Sequence, residues 1–220
     1  MEEALDPDDL EVGIDTSVLI DLAEGKVLQG LNEIFPAVGL PGMVKHELER
    51  SASRLNSMIL SADWLIPVTV DEPEDLGLIA DLHRGLGGPP ENAGEAELIA
   101  LARRHGWVAL IEDRARNLAI REGVHVIRLS TLAAAAAACE VVPVERAWGL
   151  HRGFHMRRAP KRMPAMGTTP ADRDRFARTV EAIAVLAERR ESPVWPGLLS
   201  HSALKPGQLD ELVRQIGERP

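Results

Sequence analysis

Over residues 11 to 139 the chain alternates short apolar runs with stretches of helical periodicity. The apolar runs predict strands at 11–15 (EVGID), 64–70 (WLIPVTV), 107–113 (WVALIED) and 124–130 (VHVIRLS). Between them, apolar residues recur at helical spacing near 17–24, 27–35, 42–55, 74–85, 93–104, 114–122 and 131–139. Strands separated by helices pair in parallel, with the helices covering both faces of the sheet. The expectation is an α/β fold, a three-layer α/β/α sandwich with a mostly parallel central sheet. The clearest break is GLGGPPENAG at 85–94, where Asn92 is a candidate cap for the helix that follows.

After Glu140 the pattern changes. HRGFHMRRAPKRMP (151–164) is basic, holds two prolines and shows no clear period, which reads as a linker or an arm. Thr169, Pro170 and the acids after them then mark a helix start in TPADRDRFARTVEAIAVLAERRE (169–191), with Phe176, Val180, Ile183 and Leu186 or Ala187 on one face. A second short helix is expected at 207–217. The expected organisation is an acidic tail at 1–10, an α/β domain at 11–149, and a basic arm with a mostly helical C-terminal extension at 150–220.

Charge sharpens that division. Residues 1–149 carry 12 Lys and Arg against 26 Asp and Glu, a net −14, whereas residues 150–220 carry 13 against 8, a net +5. An acidic body opposes unassisted binding to nucleic acid, but fits a body whose acids gather around cations. Three Phe, four Trp and no Tyr leave little for base-stacking platforms. The one cysteine, Cys139, lies in an alanine run and reads as a small buried apolar residue; it has no internal disulfide partner, which suits a reducing cytoplasm. Nowhere do 18 apolar residues run together, and the acidic MEEALDPDDLE start lacks the basic region of a signal peptide, so neither a membrane span nor a signal peptide is expected.

In an open α/β sheet, ligands bind outside the carboxyl ends of the strands. Asp15 ends the first predicted strand and Asp113 ends WVALIED, so both belong at that edge. Glu47, in GMVKHELER, lies beside the stripe made by Val44 and Leu48; Glu95 lies in the first turn of GEAELIALARRHG. Four carboxylates in one pocket raise one another's pKa, a conflict that Mg²⁺ or Mn²⁺ relieves. The chemistry that follows is metal-assisted phosphodiester hydrolysis, with one ion generating hydroxide and a second stabilising the leaving oxygen. Taken singly, each acid reads as a solvated surface charge or a helix cap.

The segments GIDTSVLIDL, MVKHEL, GEAELIALARRHG and ALIEDRARNLA resemble, in order, the acidic motifs of the PIN-domain family, over roughly residues 11 to 135. The third and fourth are especially similar to predicted nucleic-acid-binding PIN proteins related to the toxin ribonucleases of toxin–antitoxin pairs. The resemblance implies that Asp15, Glu47, Glu95 and Asp113 are catalytic metal ligands. Thr16 and Ser17 would then be the polar residues that orient the first aspartate or a water. Glu97, two residues beyond Glu95, and Glu112, beside Asp113, are the alternatives.

The resemblance further implies an endoribonuclease, the toxin of a toxin–antitoxin pair, with an antitoxin protein and a second copy of the chain as candidate partners. Arg114 and Arg116 follow Asp113 and are candidates for a substrate phosphate at the rim of the pocket. In the basic arm, Arg152, Arg157, Arg158, Lys161 and Arg162 are candidates for contact with an RNA backbone or, equally, for docking onto an acidic partner such as the −14 body of the same or another chain. A competing reading is a nucleic-acid- or protein-binding module with a PIN-like body and little catalysis. A phosphatase or receiver domain would need an acid close to Asp15 that the flanking Gly13 and Ile14 do not provide.

Overall fold

All four predicted strands form, and a fifth joins them in the computed structural model, which describes residues 6–51, 53–70, 72–88, 92–158, 169–187 and 195–200. The chain divides into two compact units, Met1–Ile127 and Arg128–Pro220.

In the first unit the strands are β1 (Val12–Ile14), β2 (Val38–Pro41), β3 (Leu65–Val68), β4 (Val108–Leu110) and β5 (Val126–Ile127). They make one sheet in the order β3-β2-β1-β4-β5, and every neighbouring pair is parallel. The helices are α1 (Thr16–Glu24), α2 (Leu31–Ile34), α3 (Gly42–Arg50), α4 (Arg54–Leu60), α5 (Pro73–Gly85), α6 (Ala93–His105) and α7 (Asp113–Arg121).

Strand β2 is the element the pattern concealed. Its sequence, VGLP, carries a glycine and a proline, both turn signals, yet all four residues are buried. The glycine has a packing reason. Gly39 pairs in register with Gly13 of β1, and a Cβ on Gly39 would lie 2.8 Å from two ring carbons of Trp107. On Gly13 it would lie 2.6 Å from Leu98 Cδ1 and 2.9 Å from Trp107 Cε3. The two glycines therefore leave a bare patch of sheet on which the indole and α6 rest. Trp107 is buried, and its Nε1–H donates to the Pro7 carbonyl at 3.1 Å, so the ring is enclosed with its polar handle satisfied.

The helix expected over 42–55 is two helices. Ser53 caps α4, its Oγ accepting from Asn56 N at 3.0 Å. Asn56 Nδ2 donates to the carbonyls of Leu48 (2.9 Å) and Ser51 (3.1 Å) at the end of α3. Short polar side chains that compete for backbone groups end one helix and start the next there. Helix α6 is buried at Gly94 and from Ala96 to Ala102, and stops at Gly106, which takes the left-handed conformation at φ 72°.

The second unit contains α8 (Leu129–Ala138), α9 (Val144–Arg158), α10 (Pro170–Ala187) and α11 (Trp195–Leu199). The alanine run forms α8 and is buried, with α9 and α10 packed against it; Cys139 is buried at its end. The basic stretch from 151 is not a linker up to residue 158, because α9 runs through it. Stacking holds this part of the helix: the Trp148 and His151 rings lie 5.2 Å apart, and Phe176 of α10 sits 5.5 Å and 5.0 Å from them. Such tertiary packing can order a helix whose own periodicity is weak. The predicted start of α10 forms as a capping pair, Thr169 Oγ1 accepting from Asp172 N at 3.2 Å and Asp172 Oδ2 accepting from Thr169 N at 3.0 Å. Phe176, Val180, Ile183 and Leu186 are buried as their spacing predicts. The helix expected at 207–217 lies outside the described residues. Among the described residues, no helix is long and apolar enough to cross a membrane.

Candidate active site

From β1 the chain builds the sheet outward through β2 to β3, then returns to add β4 and β5 on the other side of β1. The reversal opens a crevice at the carboxyl ends of β1 and β4, where ligands bind in sheets of this kind. Ile14 pairs with Leu110, and the next residue, Asp15, donates its backbone N–H to the Leu110 carbonyl at 3.1 Å. Asp15 thus stands at the mouth of that crevice.

Asp15 is also the N-cap of α1 and is only 3% exposed. Its Oδ2 accepts from Ser17 N at 3.0 Å and from Ser17 Oγ at 2.6 Å. A buried carboxylate requires such donors, because desolvation would otherwise make its charged form costly.

Glu47 reaches the same place from α3. Its Oε2 accepts from Thr16 Oγ1 at 2.6 Å and its Oε1 from Gly94 N at 3.2 Å. Burial pushes the Glu47 carboxyl above the usual glutamate range, the Thr16 hydroxyl and Gly94 N–H oppose that rise, and the Asp15 charge adds to it. The two polar residues after Asp15 therefore divide their work: Ser17 holds Asp15, and Thr16 holds Glu47. The backbone at the start of α6 is satisfied by the same acid. Asn92 occupies the N-cap position, but its side chain does not cap; Nδ2 donates to the Leu86 carbonyl at 3.0 Å.

Glu97 is buried within the apolar run of α6, and its Oε2 accepts from Met43 N at 2.6 Å. Burial pushes its carboxyl up, the N–H groups of Met43 and Gly42 oppose that, and the Glu47 charge raises it further. Asp15, Glu47 and Glu97 are thereby electrostatically linked in sequence. Glu95, half-buried, lies in the first turn of α6 beside Gly94. Strand β4 ends at Leu110, so Glu112 and Asp113 lie past the strand, at the turn into α7. Glu112 is buried at the N-cap position; Asp113 is the first residue of α7, and its side chain lies outside the described residues.

Arg114 and Arg116 project from the first turns of α7. Both donate to neutral oxygens: Arg114 Nη2 to the Gly85 carbonyl at 3.4 Å and Arg116 Nη2 to Asn117 Oδ1 at 3.2 Å. Arg157 and Arg158 end α9 in the second unit, with side chains outside the described residues, as are Lys161 and Arg162 altogether.

The structure therefore brings together Asp15, Thr16, Ser17 and Glu47, places Glu95 one residue from Gly94, and adds Glu97 on the far side of Glu47. Glu97 is the acid that the sequence offered as the alternative to Glu95; its signal there is a position between Ala96 and the apolar run from Leu98 to Ala102. The donors gathered here are carboxylate oxygens, with the Asp15 charge raising the Glu47 pKa and the Glu47 charge that of Glu97, a set that suits a hard divalent cation. Among the described side chains, no group of three or more His, Cys, Asp or Glu is placed to hold an ion.

A family model described as a PIN domain matches residues 12–142, more than half of the chain. No curated protein and no solved structure matches it.

Proposed function

The chain belongs to the PIN-domain family, whose fold is of nuclease type, and from that premise we propose that it is a metal-dependent endoribonuclease acting on RNA phosphodiester bonds. The observation that carries this reading is the buried Asp15 at the β1/β4 crevice, joined through Thr16 to a second carboxylate, Glu47, whose pKa is raised. Burying neighbouring acids is unfavourable unless the fold gains something from their charge, and perturbed carboxylates in a crevice are the usual mark of a functional site.

In the proposed site Asp15, Glu47, Glu95 and Asp113 would hold Mg²⁺ or Mn²⁺, which when bound would supply Lewis acidity and a more acidic water. Ser17 keeps the Asp15 carboxylate in one orientation and Thr16 does the same for Glu47, so neither acid must reorganise when substrate arrives. Arg114 and Arg116 meet a substrate phosphate from the start of α7. Arg157, Arg158, Lys161 and Arg162 supply further backbone contacts. The proposed setting is the cytoplasm, and the proposed biological role is the toxin of a toxin–antitoxin pair, with an antitoxin protein and a second copy of the chain as partners.

The test is incubation of the purified protein with labelled single-stranded and structured RNA in Mg²⁺, Mn²⁺ or EDTA, beside Asp15→Asn and Glu47→Gln. Cleavage that disappears in EDTA and in both variants is the expected result. Salt-dependent RNA binding with no cleavage in any metal would replace the nuclease with a binding module.

A further inference from the structure

We infer that Glu97 is a positioning residue for Glu47: the two form a reciprocal clamp in which each glutamate accepts a backbone N–H from the first turn of the helix that carries the other. Glu47, on α3, accepts from Gly94 N of α6 at 3.2 Å; Glu97, on α6, accepts from Met43 N of α3 at 2.6 Å. The first-turn N–H groups of a helix have no partners within it, and the helix dipole makes that end favourable for a negative charge. Each helix thus satisfies the other's open end with a carboxylate.

On the α6 side the contact is close because the first turn carries glycine, whereas at Gly42 a side chain would make ordinary contact. A Cβ on Gly94 would lie 3.0 Å from Glu47 Oε1 and 3.0 Å from Val44 Cγ2. A Cβ on Gly42 would lie 3.4 Å from Glu97 Oε1. The same Gly42 position is 3.7 Å from the Val68 carbonyl, at the end of β3. The Glu97 carboxylate therefore lies toward the ends of β2 and β3, whereas Asp15 lies at β1 and β4. Its bond from the Met43 N–H fixes the start of α3, so that Glu47 meets Thr16 and Gly94 at once.

The inference rests on the reading of Glu47 as a metal ligand only for its functional consequence; the clamp itself is testable without metal. In the full-length protein, amide hydrogen exchange in EDTA would be followed at Gly94 and Met43 for wild type, Glu97→Ala, Glu97→Gln and Glu47→Ala, and Mn²⁺ affinity would be measured by titration for these and for Glu47→Gln. The clamp predicts that Glu97→Ala accelerates exchange at Met43 and also at Gly94, about tenfold or more. Glu97→Gln, which keeps a carbonyl acceptor, restores much of that protection. Reciprocally, Glu47→Ala accelerates exchange at Met43, which keeps the test alive if Glu97→Ala does not fold. Mn²⁺ affinity should fall roughly 10–100-fold in Glu97→Ala, as for removal of a residue that orients a ligand, and far less in Glu97→Gln.

Two results would overturn the inference: Gly94 exchange unmoved by Glu97→Ala, or Glu97→Gln weakening Mn²⁺ binding as severely as Glu47→Gln, which would make Glu97 a ligand. A wild-type protein that binds no Mn²⁺ would refute the proposed nuclease site, and the exchange measurements would still decide the clamp.

Discussion

Gly94→Ala and Gly13→Ala add the same methyl group to two crowded positions, and the structure predicts opposite consequences. At Gly94 the new Cβ would stand 3.0 Å from Glu47 Oε1 and 3.0 Å from Val44 Cγ2, against an ordinary contact of 3.4–4 Å. Overpacking of this kind costs about 1–3 kcal/mol. The carboxylate can yield, as the end of a flexible side chain, but Val44 is buried, so about 1.5 kcal/mol is lost, against which alanine in a helix returns about 0.5–1 kcal/mol relative to glycine. The net loss of stability is therefore about 0.5–1 kcal/mol. The carboxylate must move by roughly 0.4 Å, and since a misplacement of about 1 Å can cost about a hundredfold in rate, cleavage should fall roughly five- to tenfold. At Gly13 the neighbours are Leu98 Cδ1 at 2.6 Å and the Trp107 ring at 2.9 Å. Both residues are buried, neither can swing into solvent, and no helix gains from the alanine, so about 2–3 kcal/mol should be lost. Urea unfolding midpoints and RNA cleavage per folded molecule separate the two. The reasoning is refuted if Gly94→Ala loses 2 kcal/mol with cleavage intact, or if Gly13→Ala is tolerated.

Two further outcomes follow from the charges. Burial holds the Glu47 and Glu97 carboxyls above their ordinary value of 4.5, so without metal the folded protein binds these protons more tightly than the unfolded chain. Their contribution to stability is fully present below that value and is lost as pH rises through the raised folded values. In EDTA, thermal unfolding across this window should show a component that weakens the wild type as pH rises and is missing in Glu47→Gln/Glu97→Gln; superimposable profiles would sink this. Arg114→Gln should weaken RNA binding about equally for all sequences and reduce the magnitude of the slope of log affinity against log salt by about 1, measured by titration at several ionic strengths; an unchanged slope would remove Arg114 from the interface.

What could be read from the chain alone was whatever is local. An apolar run, an aspartate and a Thr-Ser step are together a strand end, a cap and a helix start, and Asp15 occupies all three roles within three residues. Glu47 and Glu97 were visible as acids, but their bonding partners are 47 and 54 residues away in sequence, and no periodicity reports a contact at that range. Strand β2 was hidden for a related reason: Gly39 looks like a turn until the Trp107 ring that needs its missing Cβ is in place. The basic stretch after residue 150 was misread because charge masks a helix whose order comes from ring contacts with Phe176.

The same distinction yields a test of whether the acids serve chemistry or structure. Asparagine caps a helix about as well as aspartate, so Asp15→Asn can keep the bonds from Ser17 to an oxygen while removing a charge that is 3% exposed. Glutamine at 47 can likewise keep one oxygen for Thr16 or Gly94. If these carboxylates are retained as structural caps, their charge contributes to stability, and both substitutions should weaken the fold by about 1 kcal/mol or more. If they are retained for a cation, the metal-free protein holds repelling buried charges at the expense of stability, and neutralising either should leave the fold as stable or raise it by about 0.5–2 kcal/mol. The second outcome is expected, with cleavage lost in both variants. Denaturant unfolding in EDTA at neutral pH decides it: substantial destabilisation by both substitutions would reduce Asp15 and Glu47 to caps, whatever their position in the crevice.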